Sequence, residues 1–227
     1  MPRRLNRFQV FLKIEIVGRE KICMLWFGVV LGMLVACGSN VLANLEEVRP
    51  SEKQTLLLRG SAEVSRGIRT VTGLVDATGH GPITYYTVPF RKGMFSLSWK
   101  ASDEERLVFV FDSKPNGKAT HALKVYVNGA PGKRKDERDV LALVTYDGSV
   151  HADKKASIVK HDHHSACNQW HEISVTFGGD KTIVSIDDES YTVSSQRFLE
   201  PIEKCGVGRF SGSLQTRDVK IQKHDEL

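Results

Sequence analysis

The chain has 227 residues, 41% of them apolar and 8% aromatic, with a formal net charge of +5. That apolar content suffices for one domain with its own core. The charge excludes nothing beyond a generally basic domain: Arg3, Arg4, Arg7, Lys13, Arg19 and Lys21 stand against only Glu15 and Glu20 in residues 1–43, so the rest of the chain is close to neutral. Nucleic-acid binding needs a basic face on the folded domain, and none is expected here.

Residues 1–43 read as an export leader. Behind the basic segment, Met24 to Ala36 is an unbroken apolar or glycine run of about 13 residues, the length of a signal-peptide core and short for a membrane span. Two processing sites compete. Leu34-Val35-Ala36-Cys37 has the form of a bacterial lipobox, which would make Cys37 a lipidated N-terminus. Val41-Leu42-Ala43 is a small-residue site that would release Asn44. Either one predicts a periplasmic or cell-surface protein, touching a membrane only through its lipid or an uncleaved leader. At the other end, His224-Asp225-Glu226-Leu227 matches an ER-retention signal and gives the alternative of an ER-lumenal resident.

Residues 44–53 are polar, contain Pro50 and read as a tether. Residues 54–227 then form a single domain. Phe95, Leu97 and Trp99 alternate with Ser96 and Ser98, the period of a half-buried strand. Asp103-Glu104-Glu105 marks a turn. Leu107-Val108-Phe109-Val110-Phe111 is apolar on both parities and predicts a central strand buried on both faces. Leu123, Val125 and Val127 alternate up to the turn Asn128-Gly129. Gly132 to Asp139 is a charged run and reads as a solvated hairpin tip. Val140 to Val144 is again two-sided and closes at Asp147-Gly148.

Further along, Ile173, Val175 and Phe177 alternate behind Trp170. The turn Gly178-Gly179-Asp180 joins them to Lys181–Ile186, which predicts a hairpin ending at Asp187-Asp188-Glu189. Cys205 to Phe210 and Arg217 to Ile221 give two last strands, with Val219 and Ile221 facing inward. No long stretch of the domain has helical period. The fold class is therefore all-β: an antiparallel β-sandwich of about a dozen short strands.

The segment Asn168 to Ile173, the hairpin to Asp187, the strand Gly206-Val207-Gly208-Arg209-Phe210 and the terminal Val219-Lys220-Ile221 resemble the C-terminal half of concanavalin A-like (laminin G-like) jelly rolls. More narrowly they resemble bacterial 3-keto-disaccharide hydrolase-like domains. That resemblance implies a jelly roll and, as one alternative, a glycoside hydrolase. Many such domains carry an Asn-Ser-Gly stretch after the earlier strand, where this chain has Asp103-Glu104-Glu105-Arg106.

Candidate chemistry is sparse. Jelly-roll glucanases carry Glu-x-Asp-x-Glu on one strand face, and that motif is absent. Asp187 and Glu189 share a parity but sit at a turn, so no catalytic residue is assigned. His161, His163 and His171 are the candidate metal ligands, since imidazoles suit zinc; the bland account is a polar loop. No nucleophile elbow, phosphate loop or dinucleotide fingerprint occurs, and no cofactor is expected. Tyr85, Tyr86, Tyr126 and Tyr146 could present flat faces to sugar rings, with Arg106 and Arg209 as multivalent donors. Cys167 and Cys205, an even pair in an exported domain, are disulfide candidates. The function these residues point to is a non-catalytic, envelope-associated module whose partner is a glycan or an envelope protein.

Overall fold

The computed structural model describes residues 45–77, 79–114, 120–130, 139–147 and 157–224. The leader with Cys37, most of the Gly132–Asp139 run, Gly148 and Asp225–Leu227 lie outside them.

Fifteen strands among the described residues make two antiparallel sheets. Sheet A contains β1 (Leu45–Val48), β3 (Ser61–Ser65), β4 (Ile68–Thr72), β6 (Gly93–Ala101), β11 (His171–Phe177), β12 (Lys181–Ile186), β13 (Glu189–Ser194) and β15 (Ser213–His224), in the order β13-β12-β11-β6-β15-β4-β3 with β1 also on β15. Sheet B contains β2 (Thr55–Leu58), β5 (Ile83–Tyr86), β7 (Leu107–Ser113), β8 (Thr120–Val127), β9 (Val140–Thr145), β10 (Ser157–Asp162) and β14 (Ile202–Arg209), in the order β10-β9-β8-β7-β14-β5-β2. Among the described residues two short 3-10 turns, Glu52–Gln54 and Gln196–Leu199, interrupt the strands. The all-β expectation therefore holds.

Alternation decides what each sheet turns inward. From sheet A, Phe95, Leu97, Trp99, Ile173, Val175 and Phe177 point into the core. Sheet B answers with Leu107, Phe109, Phe111, Leu123, Val125, Leu141, Leu143 and Val207. Phe111 meets Phe95 with ring centroids 5.7 Å apart and Phe177 at 5.3 Å, and Phe177 meets Phe198 edge-on at 5.6 Å. These aromatic contacts bridge the two layers.

The sheets differ on their outer faces. On sheet A the residues between the core positions are polar: Ser96, Ser98, Ser174 and Ser185 line a shallow groove of about 210 Å³. On sheet B they are apolar or aromatic: Val108, Val110, Tyr126, Ala142 and Val144 form two further clusters there with Ile83, Tyr85 and Tyr146. This explains the two-sided runs of β7 and β9, which are buried on both faces as the sequence predicts.

Two expectations are corrected. Residues 44–53 are not simply a tether: Leu45–Val48 is a strand in register with His224–Ile221 of β15, and Lys223 Nζ lies 2.8 Å from Glu46 Oε2. Cys167 and Cys205 are both free thiols. Cys205 faces the core beside Phe111 and Tyr86, whereas Cys167 sits on the loop whose next residue bonds to the Ala101 carbonyl. Phe111 packs on Phe95, and from Phe95 to Ala101 is six residues of strand, roughly 20 Å. That separation far exceeds what a disulfide spans. Burial pushes the Cys205 thiol pKa up, the character of an inert core thiol.

Candidate functional site

The strand registers place the candidate residues in rows across sheet B. One row runs Leu56, Tyr85, Gly206, Val110, Lys124, Val144. The next runs Leu58, Ile83, Gly208, Val108, Tyr126, Ala142. Side chains one row apart on one face are diagonal neighbours, so residues from β5, β14, β7 and β8 converge although they are far apart in sequence.

The two glycines of β14 shape the surface. A Cβ on Gly206 would lie 2.7 Å from Cδ1 of Tyr85, and one on Gly208 would lie 2.6 Å from the Pro82 carbonyl oxygen. Without those atoms the Tyr85 ring lies across β14 and the Gly81–Ile83 segment drops onto it. The result is a groove of about 490 Å³ with a floor of Ile83, Val108 and Val110, Tyr85 and Tyr126 in its walls, and Arg59, His80, His121 and Lys124 at its margins. This volume is in the range of small-ligand pockets. Among the described residues its lining contains no carboxylate.

A buried carboxylate stands beside the lining. Asp112, 5% exposed, meets His121 Nδ1 at 2.6 Å and Lys204 Nζ at 3.3 Å. Burial, then the nearby Asp112 charge, raises the Tyr85 phenol pKa, so Tyr85 is neutral and keeps its hydroxyl proton.

Each candidate tyrosine on this face also carries a cation over its ring. Lys204 Nζ lies 4.1 Å from the Tyr85 centroid, Lys124 Nζ 5.5 Å from that of Tyr146, and the Arg106 guanidinium 5.5 Å from that of Tyr126 and 4.1 Å from that of Phe210. Arg106 also donates to the Ala130 carbonyl. The expectation of bare aromatic platforms thus changes to aromatic rings capped by cations.

Two proposed ligand residues do not reach this face as expected. Tyr86 is one position out of phase: it is 3% exposed, packs 6.1 Å from Phe95 and belongs to the core. Arg209 touches the groove rim, but its guanidinium is ion-paired to Asp103 and donates to the Ser213 carbonyl at 2.7 Å. That pairing gives Asp103 a structural role at the end of sheet B. Lys204, Asp112, His121 and Lys124 were missed from sequence. For Lys204, Asp112 and Lys124 the signal available was parity, outward on β14, β7 and β8; His121 shares the core parity of Leu123 and is turned outward by the register shift between Phe111 and Asp112.

The histidines do not assemble a metal site; among the described residues no cluster of three or more ligand types does so. Both nitrogens of His171 are taken: Nδ1 meets Asp187 Oδ2 at 2.7 Å and Nε2 the Ala166 carbonyl at 2.8 Å, while its ring stacks on Trp99 at 4.7 Å. His163 is likewise occupied, by Glu189 at 2.8 Å on Nδ1 and Ser165 Oγ at 2.9 Å on Nε2. His161 instead packs 4.7 Å from the Tyr191 ring. Ser165–His163–Glu189 has the connectivity of a nucleophile, base and acid. However, Ser165 is 1% exposed and its backbone is clamped on both sides by the Asn128 amide, at 2.7 and 3.0 Å. That group seals the join between β10 and β13 rather than facing a substrate.

Trp170, the start of the most legible hairpin, is half-buried on sheet A between Arg217 at 4.2 Å and Lys100 at 5.3 Å. Asp187 adopts φ 49° in the following turn, and its carboxylate accepts from the Glu172 amide as well as meeting His171, so it is turn chemistry as the spacing suggests.

No protein-family model matches the chain, and no curated protein matches it by sequence. Solved structures do match the fold. A carbohydrate-binding module, CBM66 from Bacillus subtilis, aligns with a TM-score of 0.52 at 10% identity over 73% of this chain and 93% of its own. The exoplasmic/lumenal domain of VIP36, in a Ca2+- and Man3GlcNAc-bound form, aligns at 0.52 and 9% identity over 81% and 91%. A sialidase aligns at 0.54 and 7% identity over 76% of this chain but only 17% of the enzyme. At these identities the likeness is one of fold: this chain is a concanavalin A-like jelly-roll sandwich.

Proposed function

We propose that the chain is an exported, envelope-associated glycan-binding module without glycosidase activity, and that it holds sugar against the outer face of sheet B. The observation that carries this reading is the groove itself. Tyr85 and Tyr126 converge on a 490 Å³ space that is apolar at its floor and ringed by hydrogen-bond donors. Sugar rings present apolar faces and outward hydroxyls, so they fit a surface of that kind. Two neighbours in fold are named for or bound to carbohydrate, which supports the reading by analogy. Hydrolysis needs two carboxyl groups about 5–9.5 Å apart across the bond, and the groove lining offers none. Export rests on the leader pattern of residues 1–43.

The test is a glycan array probed with the full chain and with Tyr126→Ala. Saturable binding that the substitution lowers by about tenfold supports the proposal; binding that survives it unchanged moves the site elsewhere, and no binding to any polysaccharide sinks the sugar reading. Turnover of 3-keto-disaccharides above a heat-inactivated control would overturn the non-catalytic part. Fractionation of cells expressing the chain, with Cys37→Ala and a form lacking His224–Leu227, tests lipid anchoring and the ER alternative respectively.

A further inference from the structure

We infer that the sugar held by this groove carries a carboxylate, so that the chain is a receptor for acidic rather than neutral glycans; this rests on the glycan-binding reading above. The groove margins hold Arg59, His80, His121 and Lys124 and no acidic side chain. Lys204 and Arg106 each sit over one face of the Tyr85 and Tyr126 rings, so a sugar at these rings also lies near positive charge. A ligand reaching this face therefore meets cations held over aromatic rings.

The nearest carboxylates are each engaged by a neighbouring cation or histidine. Asp112 is 7% exposed in its side chain and is shared by His121 and Lys204. Asp76 lies 3.6 Å from Arg59 Nε. The described groove lining therefore carries permanent cations in Arg59 and Lys124, with His80 and His121 beside them, while Arg209 at the rim is paired with Asp103. Unlike-charge complementarity draws an acidic ligand in and favours it over a neutral one of the same shape.

Arg59 offers an acidic group a two-pronged partner. Its hydrogen bond to protein uses Nε alone, donated to the Gly81 carbonyl at 3.0 Å, and its side chain is 37% exposed. The terminal amino groups donate no hydrogen bond to any described residue, which leaves the guanidinium a planar pair of donors at the mouth of the groove. Such a pair matches the two oxygens of a planar carboxylate. The Nε bond to Gly81 restricts the guanidinium's orientation, which lowers the ordering cost on binding.

Calorimetry on the full chain tests this with three matched pairs: oligogalacturonate, hyaluronan hexasaccharide and sialyllactose, each beside its carboxyl-reduced form. At least one acidic member should bind about tenfold or more tightly than its reduced partner, and that preference should fall away near about 0.5 M salt. Arg59→Lys, which keeps the charge but loses the fork, and Lys124→Gln should each weaken the acidic member several-fold with an unchanged melting temperature. Acidic and reduced forms binding alike would overturn the inference and leave the glycan-binding function standing. A sulfated galactan binding more tightly than every carboxylated probe would also overturn it. No binding by either member of any pair removes both.

Discussion

Gly206 carries no side chain, and that sets where Tyr85 lies. An alanine there would place its Cβ 2.7 and 2.8 Å from two ring carbons of Tyr85, closer than real contacts allow. The ring must move, because β14 is held on both sides by β5 and β7. Gly206→Ala is expected to cost about 1–3 kcal/mol from overpacking and to weaken glycan binding. Gly178→Ala, where a Cβ would meet nothing within 4 Å, is the matched control for binding. Thermal melts and titrations of both variants decide it; equal behaviour would mean Tyr85 does not depend on that gap. A second residue-scale prediction concerns acid stability. Hydrogen bonds from Tyr191 and His163 hold the Glu189 carboxyl pKa below its ordinary 4.5. A depressed carboxyl contributes stability above its unfolded pKa and loses it as pH falls through the folded value. Burial and the bond to Glu189 push Tyr191 the other way, to about 12, so its share persists below pH 10 and disappears as pH rises through about 12. Glu189→Gln should therefore flatten the stability profile below about pH 4.5, measured as denaturation midpoint against pH. Superimposable profiles would show that the pair is too exposed to matter.

At the scale of elements, β15 explains why the N-terminal residues of the domain are ordered. Its twelve residues pair with β6 along one side, while β4 covers only Ser213–Thr216 on the other. The far half would be a bare edge, which sheets avoid. β1 fills it, with Glu46 set against Lys223 and Glu47 against Lys220. Nothing in residues 44–53 has strand period long enough to announce this, since Leu45 and Val48 are of opposite parity and only Val48, opposite Ile221, packs against the core. Hence the polar reading of that segment missed a strand that its neighbour imposes. By contrast β6, β7, β9 and the β11–β12 hairpin were legible, because burial on one face or both writes itself directly into alternation. The site was half legible: Tyr85 and Tyr126 followed from residue type, but Tyr86 did not separate from Tyr85 until register fixed which parity faces the core. Glu46→Lys should lower stability by about 0.2–1 kcal/mol, and adding Lys223→Glu should restore most of it. A double-mutant cycle with no coupling would mean the pair is solvated and β1 is held by Val48 and its backbone bonds alone.

The whole molecule is a sandwich with unlike outer surfaces. Sheet A alternates apolar and polar in β6 and β11, so it needs nothing over its serine-lined groove. Sheet B is apolar on both sides and covers its outer residues with the long chains of Lys204, Lys124 and Arg106 and the segment that ends at Pro82. Two unlike faces on one core separate binding from stability. The aromatic bridge of Phe95, Phe111 and Phe177 lies between the sheets and touches neither outer surface. A change on either face should then act locally. Ser174→Arg, which would fill the sheet A groove, is expected to leave glycan affinity within about twofold, whereas Lys124→Glu on sheet B should lower it by about tenfold or more. Both should melt within a few degrees of the parent, because neither removes core volume. Phe111→Ala should instead cost about 3–5 kcal/mol and remove binding only by unfolding the sandwich. Titration and calorimetric melting of the three variants separate these cases. Loss of affinity in Ser174→Arg, at parental stability, would transfer the site to sheet A.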